Sequence, residues 1–363
     1  MPEPWFPSPL ALTPPKEKTG KAELTAPLPT FALEPSGITR VQMKLGLDKT
    51  NTSLENLQEL YNGMNAGERT KESGALKIKY SPNPNITRSP SEVLKTRKGD
   101  CDEITRFAFL VASQFGIQNT VMVEMTWTNP KTKQFEGHSA IVLIPENPLD
   151  APLVFDFTYL RNGAPLDSAN LEASLKKLYA EDAKNPGFKI TQFGTVAEVE
   201  ASYYDKIGWQ YSTAGNWEMT ALAYEKAVSL VPDSFEYNRD LAFADKKLGK
   251  YEKALEQYKR TLGTTERKGN AEVLANVGEL CLVLKRYGEA IDSLKTALSS
   301  SSDEQLDRKI KYDLASAYVE KGRIAKNEGK LESALNFFNE ALVYEPGNHK
   351  ILNAIKQLER DTK

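Results

Sequence analysis

Apolar residues recur along this chain with two different periods. Ile104, Phe107, Ala108, Val111 and Phe115 follow one another at spacings of three and four, the mark of a helix with one buried face. Gly116 stands where the C-terminal cap of that helix belongs. Leu54, Leu57, Leu60, Tyr61 and Met64 form a second stripe behind Thr52-x-x-Glu55, a capping-box signature. Ser89-Pro90-Ser91-Glu92 places a cap residue before a first-turn proline, so a short helix is predicted to end just before Arg97. Elsewhere the period is two. Leu76, Ile78 and Tyr80 alternate with polar neighbours, as do Thr120 to Trp127, and His138 to Ile144 and Val154 to Thr158 are β-rich runs. Ser81 to Asn85 and Asn129 to Glu136 read as loops. Leu171 to Leu178 reads as a helix that Asn185-Pro186-Gly187 breaks, and little else is legible between residues 160 and 200. One helix on antiparallel strands predicts an α+β domain.

From about residue 200 the pattern repeats itself. Gly215, Gly249, Lys285 and Gly329 are spaced by 34, 36 and 44 residues, as are Trp217, Tyr251, Tyr287 and Leu331. Ala254, Ala290 and Ala334 follow in the same register, then Tyr224, Tyr258 and Phe338. The last interval carries an insertion of about eight residues. Small residues let two helices approach closely, aromatics fill the gap between layers, and Pro232 and Pro346 end second helices. This resembles the tetratricopeptide repeat, with Thr220 and Thr261 in place of alanines and Lys285 in place of a turn glycine. Ile351, Leu352, Ile355 and Leu358 suit a capping helix. The expected organisation is a Pro-rich arm over 1–36, an α+β domain over 37–198, and an all-α superhelix of about four repeats plus a capping helix over 199–363.

Composition narrows the function. A chain of 363 residues, 40% hydrophobic and 26% charged, is ordinary globular protein. A net charge of −2 points to neither nucleic acid nor an anionic membrane, and no apolar run approaches the ~20 residues of a membrane span. Nine of the twenty prolines lie in residues 1–36, a segment read as an irregular arm whose Trp5, Phe6, Leu10 and Phe31 could lie against the body. Cys101 and Cys281 are far apart and give no disulfide framework. Met1 to Trp5 lacks the regions of a signal peptide, so the default expectation is the cytoplasm, with export of a mature form left open. No metal-ligand spacing and no phosphate-binding glycine loop is visible, and no cofactor is expected.

The candidate chemistry centres on Cys101, which starts the apolar helix after Gly99-Asp100. Unpaired N–H groups and the helix dipole lower a thiol's pKa at such a position. His138 and Asp156 lie on successive strand runs, and a Cys, His and Asp so ordered can serve as nucleophile, base and orienting acid. Lys98-Gly99-Asp100-Cys101-Asp102-Glu103, Gly116-Ile117, Gly137-His138-Ser139 and Phe155-Asp156-Phe157-Thr158 together resemble the transglutaminase-like cysteine enzymes over roughly residues 76–160. The resemblance implies a papain/transglutaminase-like fold with Cys101 as nucleophile, His138 as base and Asp156 orienting the imidazole. It also implies a second oxyanion donor upstream of the nucleophile, for which Tyr80, Asn83 and Asn85 are candidates and Tyr80 is preferred. The papain-type flanking sequence is absent.

The leading expectation is therefore a thiol enzyme acting on amide bonds through an acyl-enzyme, by hydrolysis more than by amine transfer, with the repeats recruiting a protein or peptide. The competing expectation is a catalytically inactive scaffold that works through its repeats. Trp209 and Phe243 share one register on the first helices of their repeats. They either line a peptide groove or pack against the neighbouring domain. Cys281 sits at a helix-packing position and His349 at a helix start.

Overall fold

The computed structural model describes residues 28, 31–33, 35–45, 47, 53–64, 79–80, 87–96, 98–128, 135–147, 149–157, 161–167, 170–179, 188–263 and 270–361. Most of the arm over 1–36 lies outside the described residues, as do Thr52, Leu76, Ile78, Asn83, Asn85, Thr158 and Asn185 to Gly187. The chain divides into compact units that meet between Gln210 and Tyr211.

In the N-terminal unit, helices α1 (Pro35–Leu45) and α2 (Ser53–Met64) come first. Leu57, Leu60, Tyr61 and Met64 of α2 are buried along the stripe the spacing predicts. Strand β1 (Lys79–Tyr80) precedes α3 (Pro90–Thr96), and β2 (Lys98–Gly99) runs parallel to β1. The start of α3 is a reciprocal cap: Ser89 N–H donates to the Glu92 carboxylate at 2.7 Å, and Ser89 Oγ accepts from Glu92 N–H at 3.3 Å. Helix α4 (Cys101–Gln114) is capped by Asp100 and stops at Gly116, whose φ of +71° is a left-handed turn that glycine adopts without cost. Near the N-terminal arm, Phe31 is buried with its ring 5.3 Å from that of Tyr203.

Five strands make one antiparallel sheet in the order β6-β5-β4-β3-β7. They are β3 (Thr120–Thr128), β4 (Phe135–Leu143), β5 (Leu153–Asp156), β6 (Arg161–Pro165) and β7 (Lys189–Phe193). Helices α5 (Leu171–Tyr179) and α6 (Val196–Thr213) complete the unit. Strand β4 begins at Phe135, earlier than His138, because Phe135 pairs with Thr128 across the hairpin. The edge strands β6 and β7 carry no clear alternation of their own, and partners already in place hold them. One sheet face is an apolar core of Val123, Met125, Ala140, Val142 and Val154 under Leu166, Leu175 and Phe188. Helix α4 bonds to the other face, through Asp102 to Ser139 and Arg106 to Glu124.

Most of α6 belongs with this unit rather than with the repeats. Ser202 Oγ lies 3.4 Å from the Arg106 guanidinium, Lys206 pairs with Asp102, and Gln210 donates to Thr87 at 2.8 Å. These polar contacts are why the boundary lies inside α6 and not at residue 198.

In the C-terminal unit, α7 (Trp217–Leu230), α8 (Phe235–Lys247), α9 (Tyr251–Leu262), α10 (Ala271–Val283), α11 (Tyr287–Ser300), α12 (Glu304–Asn327), α13 (Leu331–Tyr344) and α14 (His349–Asp361) pack in sequence. Ala254, Ala290, Ala334, Tyr258, Leu294 and Phe338 lie in one continuous core with Cys281. The insertion of about eight residues lengthens α12 by about two turns. Glycines 215, 249 and 329 take the turn position at φ of +75°, +74° and +76°, and Lys285 adopts φ +59° there. On the second helices, Lys253 of α9 pairs with Glu225 of α7 at 2.6 Å, and Lys259 of α9 with Glu289 of α11 at 2.7 Å.

Candidate functional site

The start of α4 is held by a closed set of polar bonds. Asp100 accepts from Glu103 N–H at 2.9 Å, and Asp100 N–H donates to the Glu103 carboxylate at 3.0 Å. Arg88 Nη1 donates to the same Glu103 oxygen at 2.8 Å, and Arg88 N–H donates to the other at 2.5 Å. Asp102 accepts from Ser139 Oγ and from Lys206. Arg106, fully buried, donates to Glu124 Oε1 at 2.6 Å. None of these partners was anticipated, although Asp100-x-x-Glu103 is itself a capping-box pattern.

This setting reverses one expectation. Cys101 is half-buried, and its one hydrogen bond among the described residues is donated to Asp102 Oδ1 at 3.6 Å. Burial pushes the thiol well above its ordinary value; the charges of Asp102 and Asp100 push it further, and Lys206 pulls it back. The helix N-terminus is present, but desolvation and two flanking carboxylates outweigh it. Asp102 itself is held well below the carboxylate range: burial opposes this, and the charges of Lys206 and Arg106 prevail.

Asp156 and His138 are brought together. His138 Nε2 and Asp156 Oδ2 are 2.7 Å apart, the carboxylate fully buried and the imidazole 3% exposed. Asp156 sits at the end of β5, on the strand next to β4. Tyr179, the last residue of α5, donates its hydroxyl to the same Oδ2 at 2.8 Å, and its ring lies 5.2 Å from the imidazole. Sequence reasoning missed Tyr179; its one signal was its place four residues after Leu175 on the apolar face of α5. Tyr61 is pushed up to about 12 by burial and by the charge of Asp156.

Cys101 is not joined to this pair. His138 stands opposite Met125 and Ser139 opposite Glu124 in the β3–β4 ladder. Neighbouring strand residues point to opposite faces. Ser139 and Glu124 therefore lie on the α4 face, and His138 lies with Met125 and Ala140 on the α5 face.

Of the other candidates, Tyr80 pairs through its backbone with Gly99, two residues before Cys101; its side chain lies outside the described residues. Trp209 is 38% exposed on α6. Phe243 packs edge-on against Trp217 at 5.7 Å, with Lys247 Nζ 5.1 Å above its ring. Cys281 is core and His349 is exposed at the start of α14. Among the described residues no group of three or more His, Cys, Asp or Glu could hold a metal, and no helix is long and apolar enough to cross a membrane.

The first helices of the repeats carry a linked polar set. Lys246 of α8 bonds Asn276 at 2.9 Å and Glu279 at 2.7 Å on α10, and Glu279 bonds Lys309 of α12 at 2.6 Å. Beside them Asp313 has a buried Oδ2 with no hydrogen-bond partner, and burial pushes this carboxyl up to about 6. An unfolded Asp titrates near 3.9. As pH rises from about 4 to about 6 the unfolded chain gives up a proton that the folded one keeps, so stability falls through that window. Asp313→Asn is expected to raise the thermal midpoint at about pH 7 and leave it unchanged near pH 4. An equal shift at both values would rule out titration of Asp313 as the cause.

The tetratricopeptide repeat family matches residues 315–348, which run from within α12 through α13. No curated protein matches the chain. Among solved structures, MamA from Desulfovibrio magneticus is 18% identical, over 45% of this chain and 85% of that one, with a TM-score of 0.34. A Pseudomonas aeruginosa PilF structure is 23% identical, over 45% and 68%, at 0.29. The Cut9–Hcn1 hetero-tetramer of the APC/C is 20% identical, over 44% and 29%, at 0.32. Scores this low carry no argument. The stretch 315–348 is a tetratricopeptide repeat, a unit whose stacking builds binding surfaces, and the chain binds protein partners through its repeats.

Proposed function

We propose that this protein works as a protein-binding scaffold, its repeats holding a protein or peptide partner. The observation that carries this reading is the repeat stack itself: consecutive helices packed in sequence from α7 to α14, with a matched repeat at 315–348. The surroundings of Cys101 favour it as well, since burial and two carboxylates oppose formation of the thiolate that a nucleophile needs.

A second reading is a transglutaminase-like thiol enzyme acting on amide bonds of the recruited partner. One observation favours it: the buried His138–Asp156 pair at 2.7 Å, on successive strands of the sheet to which α4 is bonded. In that reading Cys101 is the nucleophile, His138 the base and Asp156 the residue that orients it. That reading requires a rearrangement that brings the Cys101 thiol to the imidazole, which lies on the other sheet face. The upstream oxyanion donor is assigned to Tyr80, whose backbone adjoins Gly99.

Alkylation of Cys101 by iodoacetamide across pH, in the parent and in His138→Ala, separates the two, with Cys281 as internal reference. The scaffold reading expects Cys101 to react only above the usual thiol range of about 8.5, with the same profile in both proteins. Reaction near neutral pH that His138→Ala abolishes would replace it with the enzyme reading.

A further inference from the structure

The sequence marks Tyr179 only as a residue of the apolar face of α5, yet it touches both members of the buried pair. Its hydroxyl donates to Asp156 Oδ2 at 2.8 Å, and the same oxygen lies 2.7 Å from His138 Nε2. Its ring lies against the imidazole, with centroids 5.2 Å apart and planes at 36°. Leu175, one turn earlier on α5, is fully buried in the core beneath the sheet. Tyr179 is therefore held on a packed helix and not on a loop. A buried carboxylate keeps its charge only when donors satisfy it.

We infer that Tyr179 is a positioning residue for the His138–Asp156 pair, fixing the carboxylate rotamer and, through it, the imidazole tautomer. An ionised carboxylate offers only acceptors, and here one oxygen serves both the tyrosine hydroxyl and the imidazole. The imidazole must then carry its proton on Nε2 and offer Nδ1 as its basic nitrogen. Rotation of Asp156 about its last torsion away from this position would break both bonds; the Tyr179 hydroxyl opposes that rotation. Its chemical use rests on the second reading above, because a base must present the unprotonated nitrogen to its thiol.

The test is imidazole NMR on the full chain labelled with nitrogen-15. The chain has two histidines, so His349 on the surface serves as the internal reference for His138. In the parent, the His138 Nε2–H proton is expected as a persistent downfield resonance, with nitrogen shifts of a single tautomer. In Tyr179→Phe, which keeps the ring and loses the hydroxyl, that resonance is expected to disappear through faster exchange. The nitrogen shifts should move toward a mixture of tautomers, and His349 should stay unchanged. Tyr179→Leu, which loses the ring as well, should give the same loss. A circular dichroism melt like the parent's would show that the phenylalanine variant is folded. An unchanged His138 resonance in Tyr179→Phe would overturn the inference.

This outcome is separable from the fate of the enzyme reading. If the resonance is lost in Tyr179→Phe while His138→Ala leaves Cys101 alkylation unaltered, the positioning role stands and the thiol-enzyme reading falls. If alkylation depends on His138 and the resonance is indifferent to Tyr179, the reverse holds.

Discussion

Arg106→Ala is expected to lower the stability of the N-terminal unit by about 3–5 kcal/mol, the usual cost of breaking a buried ion pair from one side. Arg106 is 1% exposed, and Arg106 Nη2 donates to Glu124 Oε1 at 2.6 Å. Without it Glu124 keeps, among the described residues, one cation, Lys206, at 3.6 Å, and Asp102 loses one of the two cations that hold it ionised. A cavity the size of the lost side chain adds to the cost. Arg106 Nη1 has no partner among the described residues, so the ion pair is incompletely satisfied. Arg106→Met with Glu124→Leu should therefore lose much less than Arg106→Ala alone. The measurement is the urea midpoint for exchange of the β3 and β4 amide hydrogens. A fall below about 1 kcal/mol for the alanine variant would mean that water enters and solvates the site.

Gly278→Ala is the second large effect, and two opposed magnitudes decide its sign. Alanine is favoured over glycine inside a helix by about 1 kcal/mol. A Cβ at Gly278, however, would lie 2.4 Å from Leu294 Cγ and 2.6 Å from its Cδ2. Leu294 is fully buried in α11 between Ala290 and Ala297, also fully buried, so any shift it makes is within the core. Overpacking of this kind costs about 1–3 kcal/mol and more when the backbone must shift. The net expectation is a lower midpoint for exchange of the α10 and α11 amides. Gly278→Ala combined with Leu294→Ala should cost less than the sum of the single changes, because the smaller side chain removes the clash and the new methyl fills part of the space it leaves. A midpoint at or above the parent's in Gly278→Ala would show that the two helices can separate cheaply.

Much of the fold was legible where the signals are local. Ser89 and Gly116 cap their helices as their residue types dictate. The 34- and 36-residue spacings mark helices that pack in the expected register, down to the fully buried Cys281. Strands β6 and β7 were not legible. Arg161-Asn162-Gly163-Ala164-Pro165 has no apolar alternation, and β7 is an edge strand recruited by β3 from far along the sequence. At the candidate site the histidine–aspartate pair could be read from strand order alone. The state of Cys101 could not, because a helix end lowers a thiol's pKa only where the surroundings do not oppose the charge. Asp100 and Asp102 stand beside the thiol in the sequence, but their effect depends on burial and on Lys206 and Arg106, which only the folded chain brings there. Sheet alternation then sets His138 and Ser139 on opposite faces, a consequence of register that no motif records.

The charge rungs between neighbouring repeats fix their order as well as their spacing. Glu279 of α10 stands between Lys246 of α8 and Lys309 of α12. In the fourth repeat the position 44 residues beyond Glu279 is Arg323, and the position 44 beyond Glu289 is Ser333. A shortened stack in which the second repeat abutted the fourth would set Lys246 against Arg323 and leave Lys259 facing a serine. Each rung is worth no more than about 1 kcal/mol at the surface, but at Lys246 the replacement is repulsive where the original was attractive, and at Lys259 the attraction is lost. The repeats are therefore not interchangeable cassettes, and each recognises its neighbour by sign.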